Sequence, residues 1–468
     1  MENLTESQTP DEKNTPFLDD NSPYLLDQEI KEIVDAVRQQ DSDTVHAVLD
    51  ELSSADTAEL LSKIKEEDRT ELITHFSDAL DPEIFTEMDP ELARLTLSEM
   101  PASHVAEMIS ELETDDALLL IEPLDPAFQK EILRKLSAKT RTAVEEGLNF
   151  PEDSAGRLMR REMVVIPEFW TVGKTIDYLR QADEELPDDF FDVFIIDPAY
   201  HLTGEIPLSK IVRAKRSEKI RDLKLDETHP IPAEMDQEDV AHMFRRENIV
   251  SAPVVDSNNR LIGMITIDDI VDVIDEEAQE DILRLAGVDQ GDLYRAVIST
   301  ASSRFRWLFI NLLTAILASI VISFFDATIK QIVALAVLMP IVASMGGNAG
   351  TQALTIAVRA IATRQLSGTN TWRVIWKETF VGMLNGFLFA VLIGIIAALW
   401  FSSPMLGVVI AAAMIINLVF AGLFGSAIPI ILDKFGSDPA VSSTVLLTTV
   451  TDVVGFFAFL GLAALFLL

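Results

Sequence analysis

The sequence predicts a multidomain membrane protein: an α-helical superhelical N-terminal domain, an α/β tandem pair, a long linker helix and an all-α transmembrane domain of five helices. Three observations carry that prediction. Residues 1–300 hold 29 Lys+Arg against 70 Asp+Glu, whereas residues 301–468 hold 8 against 5, so a soluble part of net charge −41 precedes a part of +3. A pattern within residues 149–272 recurs at an offset of 59. Five apolar runs close the chain, each near the roughly 20 residues that a bilayer core requires.

Residues 1–23 are polar and rich in Pro, Asp and Asn, without an apolar core. This predicts a disordered tail over 1–27, no signal peptide, and a cytosolic N-terminal end. Residues 28–148 carry short apolar-periodic segments punctuated by acids and prolines, as at Asp89-Pro90-Glu91-Leu92 and Met100-Pro101-Ala102-Ser103. They predict an acidic domain of stacked helical repeats whose charges mostly face solvent. So acidic a surface repels phosphate and argues against nucleic acid as a partner, while it concentrates cations.

Residues 149–267 form the α/β pair. Ile195-Ile196-Asp197, Leu202-Thr203-Gly204 and Ile211-Val212 recur as Val254-Val255-Asp256, Leu261-Ile262-Gly263 and Ile270-Val271. Each half reads strand, tight turn, strand, helix. Such a pair resembles tandem cystathionine-beta-synthase-type (CBS) domains, which sense adenosyl ligands or ions. In the second half Gly263, Thr266 and Asp269 keep the spacing that such domains use for ribose and phosphate, so the resemblance implies one nucleotide site, for ATP. A strand running into a helix N-cap explains the same residues equally well.

Residues 268–302 are expected to form the acidic linker helix. At about 100° per residue Asp269, Asp272, Glu276 and Glu280 share a stripe, with Glu277 and Asp281 beside it. Like charges three and four apart destabilise a helix. Metal ions or basic groups of another domain would offset them. A solvated face is the plainer alternative, with Ile270, Val273, Ile274 and Ile282 justifying the helix.

The transmembrane domain is expected over 303–468, with spans at about Trp307–Phe325, Ile332–Val358, Phe380–Phe401, Met405–Leu432 and Val441–Leu468. Arg304, Arg306, Arg364, Arg373, Lys377 and Lys434 flank one side and Lys330 the other. The positive-inside rule then places the soluble part in the cytosol and the C-terminus outside. The second span holds Pro340 and Gly346-Gly347-Asn348-Ala349-Gly350-Thr351-Gln352. Pro and Gly loosen a helix and let other backbones approach; a small-residue packing seam is the alternative.

In the last span Thr444, Thr448, Thr451 and Asp452 follow helical spacing. An Asp near the middle of a membrane helix costs roughly 2.5–3.5 kcal/mol on insertion scales and usually faces a protein interior or a water-filled path. Hard oxygens on such a stripe suit hydrated Mg2+, which sheds water reluctantly and is held by one or two carboxylates. Two copies of Asp452 in a dimer suffice, and weak binding lets an ion leave. A structural acid paired with a neighbouring Asn or Thr is the alternative. Without Cys the chain has no disulfide or thiolate site, and its six His show no ligand spacing.

Together, the acidic helical domain, the CBS-like pair, the acidic linker, Ser344–Gln352 and Asp438-Pro439-Ala440 with Thr451-Asp452-Val453-Val454-Gly455 resemble the MgtE family of magnesium channels and transporters, over about residues 28–468. The resemblance implies a homodimer in the inner (cytoplasmic) membrane passing Mg2+ through a pore between the two membrane domains. It implies Asp452 as pore carboxylate, Asn348, Gly346 and Gly347 on the same path with Thr444 and Thr448, and Asp438 at the cytosolic mouth. It further implies that intracellular Mg2+ binds Asp115, Asp236, Glu238, Asp269, Asp272, Glu277, Glu280 and Asp281 and holds the linker, or plug, helices against the pore. Leu119 and Asn248 stand where the family can carry acids, which implies fewer or weaker sensor sites. Two rival readings are a carrier coupling Mg2+ to a counter-ion and a membrane-anchored CBS sensor that transports nothing. No phosphate-cradling loop, nucleophile–base pair or His cluster points to an enzyme.

Overall fold

The computed structural model describes residues 27–181, 186–187, 190–225, 228–288 and 291–468. The tail expected over residues 1–27 lies, up to residue 26, outside the described residues. The chain divides into two compact units, residues 1–277 and 278–468.

The first unit opens with short helices from Asp27 onward, several of them started by a side-chain cap. Asp89 caps the helix Pro90–Glu99 by accepting from the amides of Glu91 (3.0 Å) and Leu92 (3.3 Å), with Pro90 in the first turn where a missing N–H costs nothing. Asp125-Pro126 repeats the device at 2.9 Å. Apolar positions three and four apart then bury Leu60, Leu61, Leu72, Leu92, Leu97, Val105, Ile109 and Ile121 between the layers. The helix α1 (Thr114–Ile121) and the single turn α2 (Ala155–Leu158) lie side by side where the helical domain meets the α/β pair.

Two three-stranded sheets follow, β1 (Val165–Pro167), β2 (Asp192–Ile196), β3 (Leu202–Pro207) and β4 (Ile231–Pro232), β5 (Ser251–Val255), β6 (Leu261–Thr266). Both have their strands in sequence order, the first pair parallel and the second antiparallel. The duplication at an offset of 59 extends to register: Asp192 faces Pro207 as Ser251 faces Thr266, and both sheets shift register one residue before the strand end. In both turns an Asp, Asp197 or Asp256, folds its carboxylate back onto two amides at 2.8 Å. The turns also exchange bonds, the Leu202 amide donating to the Asn259 carbonyl and the Leu261 amide to the Tyr200 carbonyl, each at 3.1 Å.

The acidic helix α3 runs from Ile267 to Ala286. Ile270 and Val273 are buried in the core of the second half, but Ile274 and Ile282 are 41% and 67% exposed and do not hold the helix down. The stretch expected as one linker helix over 268–302 is broken. Gly287 adopts φ +69, its amide and that of Val288 bond back to the carbonyls of Arg284 and Leu283 at 3.0 Å, and α3 stops there.

The second unit holds α4 (Val297–Ser323), α5 (Ala334–Ala362), α6 (Thr371–Trp400), α7 (Pro404–Lys434) and α8 (Pro439–Phe466), all five long and apolar enough to cross a membrane. Helix α7 is central, packed against α5, α6 and α8, while α4 touches α8 and leaves most of its apolar surface uncovered. Pro340 does not break α5, which stays helical through its glycines. Those glycines serve close approach instead. A Cβ on Gly425 of α7 would stand 2.5 Å from the Gly350 carbonyl oxygen of α5.

Candidate functional site

The residues expected on an ion path lie on two helices of the second unit. Asp452 sits half-buried on α8, with Thr448 and Thr444 one and two turns toward its N-terminal end, also half-buried. Both hydroxyls donate to carbonyls, Thr448 to Thr444 and Val445 within its own helix (3.1 Å each) and Thr444 to Leu285 at the end of α3 (3.2 Å). A hydroxyl that donates in this way keeps its oxygen lone pairs available to a cation. Thr451 departs from the expected stripe: it is fully buried in the bundle.

On α5, Asn348 and Thr351 are exposed and the place of a Cβ on Gly347 opens into free space, whereas Gly346 turns inward. Asn417 of α7 explains that turn and is absent from the sequence-based set. It is fully buried, its Nδ2 donates to the Val342 carbonyl at 2.8 Å, and its amide fills the notch left by Gly346 and by Gly455, one turn beyond Asp452. Nothing in the sequence separates this Asn from its apolar neighbours except its polarity in an otherwise apolar span. Glu378, buried in the second turn of α6 beside Lys377, is a second polar residue that the sequence does not mark.

Asp438 caps α8, accepting from the Ala440 amide at 2.7 Å, and pairs with Arg284 at 2.6 Å. Arg284 also pairs with Glu280. Leu285 packs among Leu354, Val358, Ile428, Ala440 and Leu447, so the end of α3 is seated on the membrane bundle.

The expected regulatory acids are dispersed over several places. Asp115 of α1 and Asp269 of α3 meet at Arg160, as do Glu113 and Asp268. Asp236 caps the helix Gln237–Glu247 by accepting from the Glu238 amide at 2.9 Å, and Gln237 reaches Glu277 at 2.9 Å. Among the described residues no three acidic or imidazole side chains converge on a position that could hold a metal ion. Their crowding is nonetheless plain in their proton affinities. Burial, then Asp269 and Asp116, pushes Asp115 well above the carboxylate range. Burial, then Asp269, lifts Asp116 to about 6, and burial opposed by Arg160 lifts Glu113 to about 7. Burial followed by Asp272 raises Glu87, and burial followed by Asp153 raises Glu276. Glu87, Glu113, Asp116, Asp153 and Arg160 were not marked by the sequence, because their partners lie in another domain.

The expected nucleotide-binding groups are occupied within the chain. The Thr266 hydroxyl and amide donate to Asp269 at 2.7 and 3.1 Å, and Arg160 donates to Thr266 at 2.8 Å. The Gly263 amide belongs to the β5–β6 pairing, and a Cβ there would collide with Met159 and the Arg160 carbonyl.

Three family profiles match the chain: the divalent cation transporter MgtE over residues 339–462, the MgtE intracellular N domain over 52–153 and the CBS domain over 220–276. The magnesium transporter MgtE of Bacillus subtilis (strain 168) is 32% identical over 336 residues, 72% of this chain and 74% of that protein. The magnesium transporter MgtE of Thermus thermophilus is 32% identical over 335 residues, 71% and 74% of the two chains. The crystal structure of the soluble part of a magnesium transporter aligns with a TM-score of 0.47 and 28% identity, over 54% of this chain and 98% of that one. The cytosolic domain of the Mg2+ channel MgtE in complex with ATP aligns with 0.49 and 27%, over 52% and 99%. The relatives are transporters, in line with a sequence that carries no catalytic set. With a third of its residues identical to these transporters over more than two thirds of its length, the chain belongs to the MgtE family.

Proposed function

We propose that this protein carries Mg2+ across the cytoplasmic membrane through a channel-like path between two copies of the chain, lined by Asp452, Thr448 and Thr444 of α8 and by Gly347 and Asn348 of α5. One observation carries the reading: Asp452 stands, half-exposed on a single copy, in an apolar 28-residue helix with two hydroxyls on its stripe. A charge so placed needs an aqueous or cationic neighbour. A second copy of the same face brings a second carboxylate, enough to hold a hydrated divalent ion loosely and release it. The uncovered apolar length of α4 suits lipid or a second copy. Basic residues flanking the spans support a cytosolic placement of the acidic unit and an outward C-terminus.

Gating follows as a population shift. Intracellular Mg2+ bound by Asp272, Glu277 and their neighbours offsets the like charges and favours the state in which α3 is held against the bundle; an ion with equal affinity for both states would shift nothing. Asp438 and Arg284 fasten the end of α3 at the mouth. Nucleotide binding at Gly263, Thr266 and Asp269 would require Arg160 to yield its bond to Thr266.

The test is Mg2+ uptake into proteoliposomes by the intact chain and by Asp452→Ala at equal reconstitution. Uptake that disappears or loses ion preference in the variant supports the path; equal uptake by both overturns it. Uptake that collapses with a counter-ion gradient points to a carrier, and its absence even with the cytosolic acids neutralised points to an anchored sensor.

A further inference from the structure

Where the helical domain meets the α/β pair, acid faces acid. Glu113 stands at the N-cap of α1 and Asp115 in its first turn, and Asp268 and Asp269 at the start of α3. Among the described residues a single basic side chain is paired with these four carboxylates. Arg160, 9% exposed, places Nη1 2.5 Å from Glu113 and Nη2 2.8 Å from Thr266, 3.0 Å from Asp268 and 3.1 Å from Asp269. Its Nε is 3.6 Å from Asp115, whose Oδ1 is buried without a hydrogen-bond partner. Nη1 and Nη2 are thereby turned toward acceptors of both domains, as a guanidinium fork serves several oxygens at once, while Nε is buried without a hydrogen-bond partner.

Neighbouring residues extend the same junction. Arg157 reaches Glu122 at 2.5 Å and Arg161 reaches Glu146 at 2.6 Å, while Glu162 accepts from the Thr114 hydroxyl and amide at 2.9 and 3.2 Å. The run 157–162 thus clamps the helical domain onto the α/β pair with the protein's own charges and hydrogen bonds.

We infer that Arg160 is a resident cation that takes the place of a divalent ion between Asp115 and Asp269, so that this junction stays closed when Mg2+ is withdrawn. The inference deepens the Mg2+-sensing reading by dividing it. Docking of the helical domain through α1 is independent of the ion, and the ion acts at the acids farther along α3. An ion between Asp115 and Asp269 would have to displace a guanidinium already bonded to both domains, and two cations in one such space repel.

The chain has no Cys, so paired labels can be introduced cleanly at the exposed Lys130 of the helical domain and Lys210 of the first α/β half. The experiment measures the Lys130→Cys to Lys210→Cys distance distribution by pulsed electron spin resonance, on the full-length protein in nanodiscs, in chelator and in millimolar Mg2+. With Arg160 intact, the distribution is expected to be narrow and the same in both. Arg160→Gly is expected to broaden it in chelator and to recover the narrow form in Mg2+, while Arg160→Lys, which keeps the charge, stays narrower than Arg160→Gly in chelator. Should Arg160→Gly fail to fold, Arg160→Gln carries the same comparison. Three results would overturn the inference: broadening of the intact protein in chelator, a narrow Arg160→Gly in chelator, or an Arg160→Gly that Mg2+ does not restore. Uptake by the same samples separates the two readings. If Mg2+ fails to inhibit uptake while the distances behave as expected, the sensing reading falls and the role of Arg160 stands.

Discussion

Arg284 donates to Asp438 at 2.6 Å, joining the last turn of the acidic helix α3 to the N-cap of α8, the helix that carries Asp452. The cap and the ion pair use different oxygens of one carboxylate, Oδ1 for the Ala440 amide and Oδ2 for Arg284. Their contributions can therefore be separated by substitution.

Asp438→Asn keeps an N-cap acceptor and removes the charge. A pair this exposed contributes about 0.5–1 kcal/mol, so the internal Mg2+ concentration for half-closure is expected to rise by about two- to fivefold. Asp438→Ala, which also loses the cap, is expected to add about 1 kcal/mol of lost stability. Uptake against internal Mg2+ reads the first effect and thermal unfolding in detergent the second.

Gly346→Ala places a methyl on the Asn417 amide and is expected to cost about 1–3 kcal/mol through overpacking. Asn417→Ala alone costs a buried bond and leaves a cavity. The double variant is expected to be less destabilised than the two single effects together, with a coupling of about 0.5–3 kcal/mol. Apparent unfolding midpoints of the four proteins in detergent measure it, and strict additivity would count against the contact.

Neutralising Asp272, Glu276 and Glu277 together is expected to shift the Mg2+ dependence of closure while leaving ion preference unchanged. Closure at an unchanged Mg2+ concentration in the triple variant sinks the sensor assignment. Unfolding of the acidic first unit as a fragment in chelator adds an independent reading, because removal of like charges is expected to lessen the destabilisation that chelator produces.

Glu205 is 4% exposed with Oε2 unpartnered, and burial followed by the charge of Asp192 lifts it from 4.5 to about 7. Its folded value lies above its unfolded one. The folded state therefore holds the proton more tightly, and the associated stability is complete below about 4.5, declines up to about 7 and is absent above. The displacement amounts to roughly 3 kcal/mol. Met264 occupies the equivalent position in the second half. Glu205→Met is expected to raise the unfolding midpoint of the first unit, as a fragment, at pH 8 and to change it little at pH 4.

The helices and the duplicated sheets were legible because each rests on a local signal: Asp-Pro caps, a period of two in the strands, runs of apolar residues. Asp452 was legible because its chemistry is out of place. What escaped were residues whose role depends on partners distant in the chain. Arg160 lies 45 residues from Asp115 and 109 from Asp269, and no periodicity joins them. Asn417 is one amide in an apolar helix, and its partner is a carbonyl that any sequence possesses. The linker reads as continuous in sequence because Gly287, a single residue, ends it through backbone conformation alone.

The exchange of bonds between the turns at Tyr200 and Asn259 sets an order of events during synthesis. The first half can close its own sheet, but its turn lacks a partner until residue 261 has left the ribosome, so the pair is complete only when both copies are present. Lengthening the chain between the halves then costs little, since closure entropy grows only slowly with loop length. Deleting one residue from either turn severs both bonds at once, which makes the duplicated turns far less tolerant of length change than the connection between them.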